Sequence, residues 1–310
     1  MQAWEVPHIA GRRFTLDFVI NIARRIGVKI SGIPNYRDLD LSGESRAAAR
    51  RMEDRAVAPA SRAMFEDLVA PLLDTPSGPP STILEVGCGS AALSRRVARR
   101  LPGATVYASD KSEGMLAAAR EFAEAERGEG GAGGELVLGR WDVGDPAAFP
   151  FDRDRFDVIL SSVMAPYLDD EATVSLVEDL ASRLASGGIL AFIEQDLTTD
   201  TVNFPDFDLL RRVYARDERD LKRMVALGLR PILREAGLRL LPRRSFLWTD
   251  DEYLPYTRDL LDRIGADAQK ADRITTAERG RWTETLESLA AAGDFYYGIV
   301  YHRIAGQAPS

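Results

Sequence analysis

The chain has 310 residues, enough for one large domain or two modest ones, and its 45% hydrophobic and 28% charged content is ordinary for a soluble globular protein. A net charge of -8, from 40 Lys and Arg against 48 Asp and Glu, disfavours a nucleic-acid partner, which calls for a basic face. No apolar run approaches the roughly 18 residues that span a bilayer, no secretion-signal pattern is present, and Cys88 is the only cysteine. A cytoplasmic setting with no membrane partner and no intrachain disulfide is therefore expected.

Residues 1–80 read as a helical N-terminal segment. Between Thr15 and Gly27 apolar residues fall on nearly every side (Leu16, Phe18, Val19, Ile20, Ile22, Ala23, Ile26), so something must cover them. The cover is the chain's own core, an active site over which the segment lies as a lid, or a second subunit in a homodimer. Ser45 to Leu73 reads as a pair of amphipathic helices, and the Pro/Gly cluster Thr75-Pro76-Ser77-Gly78-Pro79-Pro80 marks the entry to a second domain, 81–310. From Thr82 strands and helices alternate, which predicts a parallel α/β sheet. Strands are expected near 82–86, 104–109, 135–139, 156–161 and 188–194, with helices near 91–101, 112–126 and 171–185. Five glycines between Gly128 and Gly134 make a surface loop. Helical insertions at about 200–236 and 250–292 flank a strand at 239–248, and a last strand runs over 295–304. The 250–292 insertion is the natural place for substrate selectivity.

The run Ile83-Leu84-Glu85-Val86-Gly87-Cys88-Gly89 takes a strand into a Gly-x-Gly turn, and an Ala/Leu/Arg-rich helix follows. Strand, glycine turn and helix make a ligand cradle: the glycines admit a bound molecule close to backbone N–H groups, and the helix N-terminus adds partial positive charge. Asp110 ends the second strand, 21 residues beyond Gly89. An acid there can accept from both hydroxyls of a ribose, and taken alone the spacing fits NAD equally well. Trp141-Asp142-Val143 follows the third strand, Phe156-Asp157-Val158-Ile159-Leu160-Ser161 forms the fourth, and Leu184-Ala185-Ser186-Gly187-Gly188-Ile189-Leu190 turns into the fifth.

In this order the five segments resemble the class I S-adenosylmethionine (SAM) dependent methyltransferases, whose first motif is acid-x-Gly-x-Gly, and among them the small-molecule branch of ubiquinone/menaquinone type. The resemblance covers 82–195 and extends to 238–304 through a final pair of strands. Two departures stand out: Ser90-Ala91 replaces the family's third glycine, and Ser186 replaces the proline of its Pro-Gly-Gly turn. The resemblance implies a Rossmann-like sheet of seven mostly parallel strands with an antiparallel last strand, a helical N-terminal lid and helical insertions. It implies SAM as cofactor, S-adenosylhomocysteine as product, and no metal. Carried onto this chain, Glu85 and the backbone of Gly87, Cys88 and Gly89 hold the methionine end. Asp110 takes the ribose, Lys111 and Met115 flank the adenosine, Asp142 and Val143 sit at adenine, and Ser161 meets the methionine amino group. Read without the family, Asp110 could instead cap the following helix, and Asp142 could be an ordinary turn acid.

Ligands of open α/β sheets bind at the carboxyl ends of the strands. That rule selects Ser161, Ser162 and Met164 to Tyr167 after the fourth strand, Glu194, Gln195 and Asp196 on the fifth, Phe246 and Trp248 on a parallel sixth, and Phe295 and Tyr296 where the reversed last strand begins. It puts His302 at the opposite end, and His8 belongs to the N-terminal arm. Glu194, Tyr36 and Tyr167 are the candidate catalytic groups. Met164, Asp196, Phe246, Trp248, Phe295 and Tyr296 are the candidate substrate contacts, their aromatic share pointing to a flat or apolar acceptor. The expected reaction is in-line displacement onto a C, N or O atom of a small, aromatic molecule of specialised metabolism. A non-catalytic or cyclase-type SAM-binding descendant and an NAD-dependent oxidoreductase are the competing readings. Glu85 and Asp142 count against the oxidoreductase.

Overall fold

Residues 39–74, 78–128, 133–215 and 225–310 are described in the computed structural model, those at 225–227 for their backbone alone. His8, the apolar segment 15–27 and Tyr36 lie outside the described residues. A single turn, α1 (Leu39–Ser42), leads into α2 (Ser45–Val57). Pro59, whose missing N–H is harmless at a helix start, opens α3 (Pro59–Met64), which continues through a π-helical turn at Phe65–Val69 into α4 (Ala70–Leu73). Next come β1 (Thr82–Val86), α5 (Ala92–Arg100), β2 (Thr105–Asp110), α6 (Glu113–Gly128) and β3 (Glu135–Arg140). Then follow β4 (Phe156–Ser162), α7 (Asp170–Ser182), β5 (Leu184–Val202) and α8 (Phe207–Val213). The chain ends with α9 (Val225–Glu235), β6 (Arg239–Leu240), β7 (Arg244–Asp250), α10 (Pro255–Lys270), α11 (Thr276–Ala292) and β8 (Tyr297–Gln307).

These strands form one sheet in the order β3-β2-β1-β4-β5-β8-β6, with β7 also paired to β8. β1 to β5 are mutually parallel, and β8 is antiparallel to β5, β6 and β7. β6 and β7 therefore run in the direction of the first five strands, as expected for a sixth strand. The architecture is the Rossmann-like, mostly parallel sheet that the motif order implies.

Two details differ from expectation, each for a local reason. The sheet has eight strands rather than seven, because the stretch 239–248 is two strands. Pro242 between them has no N–H to give to the ladder, although Leu241 still donates to the Ala305 carbonyl. β5 is also much longer than 188–194. It continues past a bulge between Asp196 and Thr201 and pairs Thr201 with Gly298 and Val202 with Tyr297. That extension moves the register, so His302 lies opposite Glu194 and not at the far end of the sheet. Its ring meets Ser245 Oγ at 2.7 Å and Asp196 Oδ2 at 3.4 Å.

Alternation along the strands divides the core into two layers. Ile83, Val106, Val158, Leu160, Ala191 and Ile193 face α3 to α5, α10 and α11, and bury Phe65, Leu68, Leu72, Val97, Leu261 and Trp282. Leu84, Val86, Ile159, Leu190, Phe192 and Ile304 face the other way, onto Leu176, Val177 and Leu180 of α7 and Leu229 and Leu233 of α9. Each fully buried Leu, Ile or Val contributes about 1.5–3 kcal/mol. The helices of 45–73 thus share the sheet's own core, and packing does not break at the Pro/Gly cluster before β1. Asp157 pins the start of β1 to β4, accepting from the backbone N–H and hydroxyl of both Ser81 and Thr82.

Candidate active site

The chain leaves β1 in a left-handed turn, with φ of 70° at Gly87, 54° at Gly89 and 57° at Ala91. Glycine takes such angles at no steric cost; the non-glycine Ala91 takes one at the head of α5. At Gly87 space counts too, since a Cβ would stand 2.7 Å from Met164 Cγ, whereas one on Gly89 would meet the flexible end of Met52. Gly87→Ala is expected to weaken S-adenosylhomocysteine binding at least tenfold, about 1.4 kcal/mol, as calorimetry on the folded variant would show. Unchanged affinity would mean the turn is not the cradle.

Asp110 ties three loops together at the carboxyl edge of the sheet. Its Oδ2 accepts the Gly89 N–H at 2.9 Å and its Oδ1 the Ser112 N–H at 2.9 Å, while its carbonyl accepts the Trp141 N–H at 3.0 Å. Burial raises the Asp110 carboxyl above its ordinary pKa, opposed by those two N–H groups. Because Trp141 hangs from Asp110, Asp142 and Val143 are brought beside it. Asp40 of α1 reaches the start of α6 from the other side, accepting from the Glu113 N–H at 2.9 Å and the Gly114 N–H at 3.1 Å.

A cavity of about 430 Å³ opens at this edge, a size typical of small-molecule sites. Eight of the residues selected from sequence line it: Gly87, Asp110, Lys111, Met115, Asp142, Val143, Met164 and Tyr167. Glu85 and Cys88 line a neighbouring cavity of about 90 Å³, and the two cavities share Met52, Arg55, Gly87 and Ser162. Glu85 is buried and accepts from the Ser94 hydroxyl; burial pushes its carboxyl to about 7. Burial likewise raises the Cys88 thiol well above its usual value.

The other selected residues stand elsewhere. Ser161 is fully buried with its side chain off both cavities, whereas the next residue, Ser162, lines both. Alternation is the reason: 158 and 160 face one layer, 159 the other, and 161 goes with 159. Glu194 shares that second face, where its Oε1 accepts from the Ala165 N–H at 3.4 Å. Burial pushes the Glu194 carboxyl to about 8. Asp196 pairs with His302 and accepts from the Thr198 N–H and hydroxyl. Trp248 is core, its Nε1 donating to Ser61 Oγ at 2.9 Å, and Phe295 packs on Tyr253. Phe246 packs at the core's margin, and the Tyr296 N–H donates to Asn203 at 2.8 Å. None of these six lines either cavity.

Reasoning from the sequence missed the roof. Arg51, Met52 and Arg55 come from α2, and Tyr256, Leu260 and Arg263 from α10. The signal was present as helical spacing, i, i+4 and i+7 on α10. Of the strand-end residues, Gln195 does line the cavity, and its Nε2 donates to the Tyr301 hydroxyl at 2.6 Å. Arg55 hydrogen-bonds the same buried tyrosine.

Residues 83–188 match the family model described as a methyltransferase domain. The chain is 28% identical to a trans-aconitate 2-methyltransferase of Variovorax paradoxus, over 54% of this chain and 55% of that protein. It is 30% identical to a malonyl-[acyl-carrier protein] O-methyltransferase of Bacillus cytotoxicus, over 48% of this chain and 45% of the other. The chain thus spans about half the length of these curated relatives. Among solved structures, the N-methyltransferase NodS from Bradyrhizobium japonicum, in complex with S-adenosylhomocysteine, aligns with a TM-score of 0.45 at 16% identity, covering 82% of this chain and 90% of that one. The matched region is thus similar to a methyltransferase domain, in the stretch where the five segments stand in the order of the class I SAM-dependent methyltransferases. The cofactor that this similarity and the motif order imply is S-adenosylmethionine.

The residues present fit that cofactor. Each Asp110 carboxylate oxygen spends one lone pair on a backbone N–H and keeps another for a ribose hydroxyl. Gly87, with no side chain, lines both cavities, so a ligand can approach the backbone of the turn there.

Proposed function

We propose that the protein is a SAM-dependent methyltransferase acting on a small-molecule acceptor, with Asp110 at the ribose, Asp142 and Val143 at adenine, and Gly87 and Arg55 at the methionine end. The observation that carries this reading is the single cavity lined jointly by Gly87, Asp110, Asp142, Met164 and Tyr167. The relatives named for methyl transfer to trans-aconitate and to malonyl-[acyl-carrier protein] support it.

When bound, the cofactor supplies an electrophilic methyl group, so the protein's work is to orient the acceptor and exclude water. Met164, Tyr167, Leu197 and Leu260 form apolar wall around the acceptor. That Tyr167 lines the cavity supports a role for it, as phenolate, in taking a proton where the attacking atom carries one. Tyr36 keeps its candidacy as a lid aromatic, and 250–292 supplies selectivity through α10. Methyl transfer to C, N or O, a role in specialised metabolism, a cytoplasmic setting and a homodimer through the N-terminal segment belong to the same proposal. No helix among the described residues is long and apolar enough to cross a membrane.

Incubating the full chain with methyl-labelled SAM and a library of small aromatic and aliphatic acceptors tests the proposal. Release of S-adenosylhomocysteine that depends on one acceptor is expected. Tight S-adenosylhomocysteine binding without turnover on any acceptor would leave a binding protein, and binding of NAD instead would end the assignment.

A further inference from the structure

Two helices far apart in sequence roof the cavity, and each brings an arginine to its wall. Arg51 comes from α2 and Arg263 from α10. Neither reaches the smaller cavity, where Arg55 meets Gly87 and Glu85. Asp259, one turn before Arg263, accepts from Arg263 Nε at 2.9 Å and lies 3.9 Å from Arg51 Nε. Arg51 Nε is buried and makes no hydrogen bond among the described residues. A guanidinium N–H withdrawn from water without an acceptor is costly, and an arriving anion would relieve that cost. Asp169, an acid on the cavity wall, is engaged as the N-cap of α7 by the Ala172 N–H at 2.8 Å. Within the Arg51–Asp259–Arg263 group two guanidiniums against one carboxylate leave one positive charge, beside the apolar faces of Tyr256 and Leu260.

Resting on the methyltransferase reading, we propose that the acceptor is a carboxylic acid whose carboxylate is held between Arg51 and Arg263, with its apolar body against Tyr256 and Leu260. Arginine's planar fork matches a carboxylate in bidentate fashion. The residual charge matches a monoanion, whereas a phosphate monoester would arrive with close to two charges. Arg51 and Arg263 thereby set acceptor specificity, and Arg55 stays at the cofactor's end of the site.

The test saturates the full chain with S-adenosylhomocysteine. Calorimetry then follows benzoate, 4-hydroxycinnamate and hexanoate, the methyl ester of each, and phenyl phosphate. At least one acid is expected to bind about tenfold or more tighter than its ester, and Arg51→Ala or Arg263→Ala to weaken that acid about tenfold. Arg51→Lys, which keeps the charge, should fall between. S-adenosylhomocysteine affinity and the thermal midpoint should hold in these variants. Arg211→Ala, a surface residue paired with Asp208, should change nothing. Four results overturn the proposal: no acid binds the S-adenosylhomocysteine complex; ester equals acid; phenyl phosphate outbinds benzoate; or the arginine variants lose S-adenosylhomocysteine affinity instead, which would give them to the cofactor's own carboxylate. Failure of the unaltered chain to bind S-adenosylhomocysteine overturns the methyltransferase reading itself, a separate outcome.

Discussion

Asp110→Ala is expected to weaken S-adenosylhomocysteine binding by about two orders of magnitude, roughly 3 kcal/mol. Two effects add. The carboxylate that would grip the ribose is lost, and the Gly89 and Ser112 N–H groups that it holds at 2.9 Å lose their acceptor. Asp110→Asn separates the two effects. One side-chain oxygen remains to accept, but the amide end now presents donors toward a backbone N–H or a hydroxyl. The Asn variant should recover part of the cradle and little of the affinity. Calorimetry reads the binding, and the unfolding midpoint reads the loss of loop anchoring. Affinity in the Ala variant within twofold of the unaltered chain would remove Asp110 from the cofactor site, and with it the placement of Asp142 and Val143.

The part of the cavity proposed for the cofactor was legible because its signals are local. Gly87, Gly89 and Asp110 act through turn geometry and strand ends, and these follow from a few consecutive residues. The acceptor half was not, because it is assembled by packing between segments about two hundred residues apart. Arg51 and Arg263 stand on one wall only because α2 and α10 lie over the same edge of the sheet, and no short-range pattern encodes that meeting. Strand parity explains the exchange of Ser161 for Ser162: one residue of offset turns a side chain through the sheet, and a motif is no finer than that. Register explains the strand-end aromatics and His302. The rule that strand ends carry ligands is sound, but β5 runs on to Val202, so neighbouring strands meet it at other levels than a short β5 would give. Trp248 and Phe295 are then claimed by the core, the commoner fate of large aromatics.

Parity also decides what Glu194 does, and the expected consequence is large. Its side chain turns to the layer of α7 and α9 and lines neither cavity; it is fully buried, with Oε2 making no hydrogen bond among the described residues. Burial lifts its pKa from 4.5 to about 8, against the N–H groups of Ala165 and Met164. Below pH 4.5 the group is protonated in both states and contributes no pH dependence. Between 4.5 and 8 the native protein keeps a proton that the unfolded chain releases, so stability falls as pH rises; above 8 the loss is complete. Glu194→Gln keeps an oxygen for the two N–H groups and cannot ionise. It should therefore unfold at higher denaturant than the unaltered chain at pH 9, by several kcal/mol, with the difference shrinking toward pH 4.5. Glu85, raised to about 7 by burial, contributes a slope of the same sign that persists in the variant. Urea midpoints at pH 5, 7 and 9 check this, and parallel curves for the two proteins would refute it. Methyl transfer should survive in the Gln variant, because the Glu194 side chain lines neither cavity and its amide can still accept from the Ala165 and Met164 N–H groups. Turnover abolished with S-adenosylhomocysteine affinity intact would return Glu194 to the chemistry and overturn the assignment of its face.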